Sequence, residues 1–237
     1  MPLELVAMSD LHGYLPENVD ALAGDVLVIA GDIMPDSAHR MWLRKHPGLG
    51  ITWMKDQFIP WANSLLEYEI VDEVVFTWGN HDWTMETTQE IRKVLPPHVH
   101  LLVDEGWEYE GFTFWGSPWS NNFDGWSWMQ EPEDLATVYA NIPPCDVLIS
   151  HQPPYGPAGM CPNYHSGRIE QLGSKELLAE LHRINPQFLI CGHIHEGHGL
   201  YTGPHGGTIA NVSLLDERYD LRFRPTFNLI LQREEVS

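Results

Sequence analysis

Five short polar turns in this 237-residue chain carry side chains able to hold metal ions. In order they are Asp10-Leu11-His12-Gly13, Gly31-Asp32, Gly79-Asn80-His81-Asp82, Ser150-His151 and Gly192-His193-Ile194-His195. Carboxylates and imidazoles suit divalent Mn, Fe, Zn or Ni, and the absence of Cys from the set argues against a soft-metal centre. One carboxylate can bridge two ions about 3.5–4 Å apart, the separation at which paired metals hydrolyse phosphoesters. The i, i+2 spacing of Asp10 with His12, and of His193 with His195, lets each pair face one way from an extended turn. The glycines beside them let backbone turn tightly near an ion. Singly these motifs are weak: Gly-Asp is usually a plain turn, and His151 before Pro153-Pro154 reads as structural when taken alone. The weight lies in all five occurring in order, each directly after an apolar run.

Those runs are the elements that must position the turns. Leu3–Ser9, Val26–Ala30, Val74–Trp78, Phe112–Gly116, Val147–Ser150, Phe188–Cys191, Thr208–Asn211 and Phe227–Leu231 are short and rich in β-branched residues, and read as strands buried on both faces. Helical spacing lies between them. Ile51, Met54, Phe58, Trp61, Leu65 and Tyr68 keep three-and-four spacing, with Pro60 kinking or starting that helix. Met85–Leu95 is a second helix, stopped by Pro96-Pro97. Ser174–Ile184 is a third, with Leu177, Leu178, Leu181 and Ile184 on one face and Ser174 as the N-cap. Trp107–Tyr109 and Phe112–Trp115 across Glu110-Gly111 read as a hairpin. No repeat or linker divides the chain, so one α/β domain over residues 1–237 is expected. In open α/β sheets sites form beyond the carboxyl ends of the strands, where turns distant in sequence converge.

Hydrophobic residues at 43% and charged residues at 19% fit a compact protein and exclude a disordered chain. A formal charge of −20 opposes a basic groove, so long nucleic acid is not an expected partner. No apolar run approaches the roughly 18–20 residues that cross a bilayer, and no membrane partner is expected. The start, Met1-Pro2-Leu3-Glu4, lacks the pattern of a secretory leader. Cys145, Cys161 and Cys191 are far apart and show no C-x-x-C pairing, which indicates neither a disulfide framework nor a thiolate zinc site. A cytoplasmic setting follows as the expectation.

With Gly116-Ser117-Pro118-Trp119, Ser150-His151-Gln152-Pro153-Pro154-Tyr155-Gly156 and Gly192-His193-Ile194-His195-Glu196-Gly197, the five motifs resemble the calcineurin-like metallophosphoesterase superfamily. Within it they resemble the branch of metallophosphoesterase-domain proteins related to class III cyclic-nucleotide phosphodiesterases. The resemblance runs from Leu3 to Leu231. It implies a four-layer α/β/β/α sandwich with two mixed β-sheets and a dinuclear metal site at the C-terminal edge of the strands. It implies Asp10, His12 and His195 around one divalent ion, Asn80, His151 and His193 around a second, and Asp32 as the bridge. Mn or Fe is implied first, with Zn, Ni and Co as alternatives. His81 matches the family's catalytic histidine, and Asp82 stands where it would orient and polarise that ring. Gln152 departs from the branch, which often has Gly there.

The function so implied is a metal-dependent phosphoester hydrolase: a phosphodiesterase on small nucleotides such as cyclic nucleotides, using a hydroxide held between the metals and His81 as general acid. The alternatives are a phosphomonoesterase or nucleotide phosphatase, and a weakly active metal-dependent binding module. Trp119, His165 and Arg168 are the candidate substrate contacts. Trp119, Phe123, Trp126 and Trp128, with Asn121 and Asn122, either stack on a base or pack a loop over the sheet edge, and packing is the favoured reading. His39, Arg40, Arg44, Lys45 and His46 read as a solvated face rather than an anion guide. His98, His100, His182, His198 and His205 have no motif context. A homodimer is compatible with the sequence.

Overall fold

The apolar runs become two stacked sheets in the computed structural model, which describes residues 1–35, 46, 48–82, 88–163, 166–222 and 226–233. In the first, β1 (Leu3–Met8), β2 (Val26–Ala30), β3 (Glu73–Thr77) and β4 (Val99–Leu101) are parallel neighbours. Antiparallel β15 (Phe227–Leu231) closes the β1 edge, giving the order β15-β1-β2-β3-β4. The second contains β5 (Glu105–Tyr109), β6 (Phe112–Ser117), β9 (Val147–Ser150), β12 (Phe188–Cys191), β13 (Gly199–Thr202) and β14 (Thr208–Asn211) in the order β13-β14-β12-β9-β6-β5. Its interior pairs are parallel and its two outermost pairs antiparallel. Two small ribbons flank the sheets: β7 (Ser120–Asn121) with β8 (Met129–Gln130), and β10 (Met160–Pro162) with β11 (Ile169–Gln171).

Alternation along the strands sorts the apolar side chains into three cores. Leu5, Ala7, Val28 and Ala30 meet Phe114, Ile149, Ile190 and Val212 between the sheets. On the outer face of the first sheet, Val6, Leu27, Ile29 and Phe76 pack against Met54, Phe58, Leu65 and Ile91 of the helical segments. On the outer face of the second, Leu148 and Leu189 pack against Leu135, Tyr139, Leu177, Leu181 and Ile184. Helix, sheet, sheet, helix is the four-layer arrangement with mixed sheets that the family resemblance implied. Strands whose two faces both meet helix or sheet must be apolar throughout, which is why β2 is buried at every position.

The helices show where local rules were followed and where they bent. The Ile51–Tyr68 pattern folds as α-helix Gly48–Trp53, a π-helical stretch Met54–Phe58, and α-helix Ile59–Glu67. Pro60 lacks an N–H and its ring crowds the carbonyl four residues back, so the widened turn falls immediately before it. Of Met85–Leu95, the described residues form a helix over Thr88–Arg92, followed by a turn in which Val94 and Leu95 donate to Ile91 O. Residues 85–87 lie outside the described ones. Ser174 Oγ accepts from Leu177 N at 3.1 Å, capping Lys175–Ile184. The helix Pro132–Ala140 was not anticipated, although Pro132, two acidic residues in its first turn and the buried i, i+4 pair Leu135/Tyr139 all mark it. Glu110 and Gly111 take φ of +48° and +77°, so the β5–β6 hairpin turns through two left-handed residues. No helix among the described residues is long and apolar enough to cross a membrane.

The parallel pairing decides where function sits. The C-terminal ends of β1, β2 and β3 lie along one edge of the first sheet, those of β9 and β12 along the second, and β2 packs against both β9 and β12. All five polar turns therefore emerge on one rim.

Candidate metal centre

Backbone hydrogen bonds stitch the turns together. Beyond β1, Asp10 N donates to Gly31 O and His12 N to Asp32 O, tying the first turn to the second. Asp10, His12, Asp32 and His193 take φ of +54°, +44°, +51° and +67°. Such left-handed conformations cost non-glycine residues energy and persist only where surrounding contacts over-determine them. Two glycines are required by close approach rather than by their own torsions. A Cβ on Gly79 would land on the Asp32 carboxylate, and one on Gly192 would land on Asp10 and the Ser9 hydroxyl.

The corners aim their side chains at a common centre. Asp10, His12 and His195 form one group and Asp32, His151 and His193 another, the ligand atoms of each lying within 4.8 Å of one another. His12, Asp32 and His81 form a third group on the same criterion, between them. Asp32 Oδ2 lies 3.4 Å from His151 Nε2 and 3.9 Å from His12 Nε2, so one oxygen faces a histidine of each outer group. Asn80 Oδ1 is 2.9 Å from His151 Nε2, and His195 Nε2 is 3.4 Å from Asp10 Oδ1.

Two further observations bear on whether these residues fit metal ions. His151 Nδ1 donates to Ala30 O at 2.9 Å and His195 Nδ1 donates to Asp216 O at 2.8 Å. Each carbonyl thereby turns Nε2 toward the cluster of oxygens, the usual outer support of a metal-ligating imidazole. Both ring nitrogens of His12 are buried with no hydrogen-bond partner. Burying such a group unpaired costs about 1–3 kcal/mol, and a cation beside Asp10 and Asp32 supplies the missing partner. The donor set thus fits a pair of divalent ions of the N/O-binding kind.

Ionisation follows the same geometry. Burial works against charge on Asp10 and Asp32, but the neighbouring imidazoles together outweigh it, His195 and His151 at the first and His151, His81 and His12 at the second, and both carboxyls lie below the usual range. Burial brings His12 down to about 4 and, with the charge of His151, brings His193 down to about 3. Burial also opposes protonation of His151 and His195, yet Asp32 and Asp10 respectively carry them up to about 9. Asp10, Asp32, His12 and His193 are thus already in the states that bind cations, anionic carboxylates and unprotonated imidazoles, whereas His151 and His195 must each give up a proton to do so.

His81 stands over this floor. Its backbone N–H donates to Asp32 Oδ1 at 2.7 Å, and its ring lies 4.7 Å from that of His12 and 4.1 Å from that of Trp126. Asp82 has a different task from the one expected of it. Its oxygens accept from Ile33 N, Met34 N and Gly79 N at 3.1, 2.9 and 2.8 Å, pinning the turn after β2 to the turn after β3. Adjacent side chains on a turn diverge, so Asp82 points into the backbone while His81 points at the cavity. Burial and the charge of Asp32 push that carboxyl up to about 7.

A cavity of about 630 Å³ opens above His81, His193 and His195, walled by Asn121, Phe123, Leu172, Glu196, Glu217 and Tyr219. Trp119 is not part of its lining: its Nε1 donates to Asp104 Oδ2 at 2.6 Å and its ring packs edge-on against Trp128 at 5.3 Å. That residue holds a loop in place, as the packing reading of the aromatic cluster expected. Arg168 is exposed and outside the lining; its carbonyl accepts from Asn163 N at 2.7 Å beside the last pair of the β10–β11 ribbon. His165 lies outside the described residues, as do His39, Arg40, Arg44 and Lys45. Gln152 is fully buried; its Oε1 accepts from Asn121 N at 2.9 Å and its Nε2 donates to Leu172 O at 2.8 Å, tying two walls together. Sequence reasoning missed Tyr219, which stands in no motif, and the Asp216 carbonyl, which has no side-chain signature at all.

The fold and the two histidine–carboxylate groups define a metallophosphoesterase centre. The chain belongs to the calcineurin-like phosphoesterase family, whose sequence profile matches residues 3–197. It is similar to the UPF0046 protein T07D4.2 of Caenorhabditis elegans, with 27% identity over 94% of this chain and 59% of that protein. It is also similar to metallophosphoesterase domain-containing protein 1 of Homo sapiens, with 30% identity over 82% of this chain and 61% of that protein. The chain spans about three-fifths of the length of these curated relatives. Among solved structures, TT1561 of Thermus thermophilus shares the fold, with a TM-score of 0.54 at 14% identity, covering 98% of this chain and 100% of that one.

Proposed function

We propose that this protein is a two-metal phosphodiesterase acting on small nucleotide diesters, with cyclic nucleotides first among its substrates. The observation that carries the reading is the shared Asp32 oxygen, which faces His12 on one side and His151 on the other. Asp10, His12 and His195 would hold one ion, Asn80, His151 and His193 the other, with Asp32 between. Mn or Fe suits these donors, with Zn, Ni or Co as substitutes. Bound there, two divalent ions make a water nucleophilic near neutral pH and neutralise the phosphoryl oxygens. His81 donates a proton to the departing alkoxide, a contribution of about 10²–10⁴-fold.

The cavity walls favour a diester over a monoester. Among the described residues its lining includes no Lys or Arg, whereas Glu196 and Glu217 both border it. A terminal phosphate dianion lacks a second partner there. A diester carries a single charge and an organic arm that Phe123, Leu172 and Tyr219 can accept. The net charge of −20 likewise disfavours a long nucleic acid as substrate. A cytoplasmic location and a homodimer complete the proposal.

Turnover of bis-p-nitrophenyl phosphate, p-nitrophenyl phosphate and 2′,3′- and 3′,5′-cyclic nucleotides with added Mn²⁺ tests it. Cleavage of the diesters well above the monoester is the expected result. Preference for the monoester establishes a phosphatase instead, and metal uptake without turnover of any ester establishes a binding module.

A further inference from the structure

We propose that Tyr219 is a substrate-contacting specificity residue, whose ring is the platform on which the planar base of the leaving arm stacks. The inference deepens the phosphodiesterase reading above and rests on it. Tyr219 belongs to a turn built around Asp216. The Asp216 carboxylate accepts from Arg218 N at 2.8 Å and Asp220 N at 2.9 Å, and its backbone carbonyl accepts from Tyr219 N at 2.9 Å. That same carbonyl accepts from His195 Nδ1 at 2.8 Å, so the turn is anchored on a metal-site histidine. Tyr219 takes φ of +65°, a conformation that a bulky side chain rarely adopts and that marks local strain.

The conformation sets the ring at the floor. Its centroid lies 4.7 Å from that of His12 and 5.3 Å from that of His195, while 47% of the residue remains exposed and borders the cavity. His12 in turn meets His81 at 4.7 Å, so a single imidazole separates Tyr219 from the group assigned to the leaving oxygen. Phe123 offers a second exposed ring, but it packs on His193 at 5.9 Å, whereas His81 shares its ligand group with His12 and Asp32. Trp126 lies on His81 at 4.1 Å but is not part of the cavity lining. Of the two lining rings, Phe123 and Tyr219, Tyr219 is the one joined to His81 through a single imidazole, and it is the one offered to a nucleoside whose oxygen leaves beside His81. Glu217, two residues earlier on the same wall, disfavours an arm bearing further phosphates, which points to bases at the monophosphate level.

The test uses the full chain loaded with Mn²⁺ and compares binding of AMP and ribose 5-phosphate by titration calorimetry. Stacking on one aromatic ring predicts about tenfold tighter binding of AMP than of the base-free sugar phosphate. Tyr219→Ala is expected to bring that ratio to about one, with metal content by elemental analysis unchanged, and Tyr219→Phe to preserve it. In turnover, the kcat/KM preference for 2′,3′-cyclic AMP over glycerol 1,2-cyclic phosphate should fall about tenfold in Tyr219→Ala, chiefly through KM. A wild-type protein that binds both ligands alike overturns the proposal. So does a Tyr219→Ala variant that keeps the ratio, one that loses metal, or a ratio abolished by Phe123→Ala instead. Failure of the parent reading looks different: the wild type then discriminates AMP by its base yet hydrolyses neither diester.

Discussion

The floor and the walls of the cavity are built by different means. The floor consists of side chains on turns at the ends of β1, β2, β3, β9 and β12, held by backbone bonds such as Asp10 N to Gly31 O and by four left-handed corners. The walls at Asn121, Leu172 and Tyr219 come from loops, each held by a few side-chain bonds: Gln152 to both Asn121 and Leu172, and Asp216 to the turn of Tyr219. Strand ends confine a ligand within fractions of an ångström because the whole sheet must move to displace one. Loops held by two or three bonds can be re-aimed by a substitution. The comparison assigns reaction to the floor and choice of substrate to the walls.

The sharpest way to break that division is Asp32→Ala. Removing the shared carboxylate should abolish binding of both ions and lower turnover by more than about a hundredfold, the upper figure for losing a mere supporting partner of a metal ligand. Elemental analysis and kinetics on one preparation check it; retention of both metals would contradict the assignment. His81→Ala comes next: turnover should fall by about 10²–10⁴-fold while the metal content of the wild type is retained. Loss of metal in that variant would move His81 from acid to ligand.

The walls should behave otherwise. Gln152→Ala removes the partner of Asn121 N–H and leaves Leu172 C=O only the longer 3.4 Å bond from Asn121 Nδ2, a destabilisation of about 1–3 kcal/mol measurable by urea unfolding. Its kinetic signature should be a raised KM with kcat close to wild type, since the floor is untouched. An equal fall in kcat would show that floor and walls are coupled. Trp119→Phe should have the smallest effect on turnover. It removes the bond to Asp104 and costs about 1–2 kcal/mol of stability, with kcat and KM unchanged, because the ring lies outside the cavity. A shifted KM would restore it as a substrate contact.

This difference also explains what could be read in the sequence. Val26–Ala30 or Val147–Ser150 announces itself as a strand because burial on both faces forces an unbroken apolar run, and the polar residue that follows must then sit at a sheet edge. The floor inherits that legibility: Asp10, His12, Asp32, Asn80, His151, His193 and His195 each stand directly beyond such a run. Asp82 shows the limit. Its composition suited a partner for His81, but the direction of its side chain depended on how two turns packed, and it faces three backbone N–H groups. Tyr219 and Asp216 were illegible for a related reason, since a left-handed tyrosine and a backbone carbonyl leave no periodic or spacing signal. Short or half-exposed elements were equally silent: β4 has three residues, and β13 alternates between half-buried and exposed positions.

Everything assigned to the floor depends on two ions sharing Asp32. Anomalous diffraction from crystals of protein purified without chelator and supplied with Mn²⁺ measures this directly. Two anomalous peaks about 3.5–4 Å apart, with an Asp32 oxygen between them and His12 and His151 on opposite sides, are the predicted result. A single peak, or a pair of peaks away from Asp32, would contradict the account.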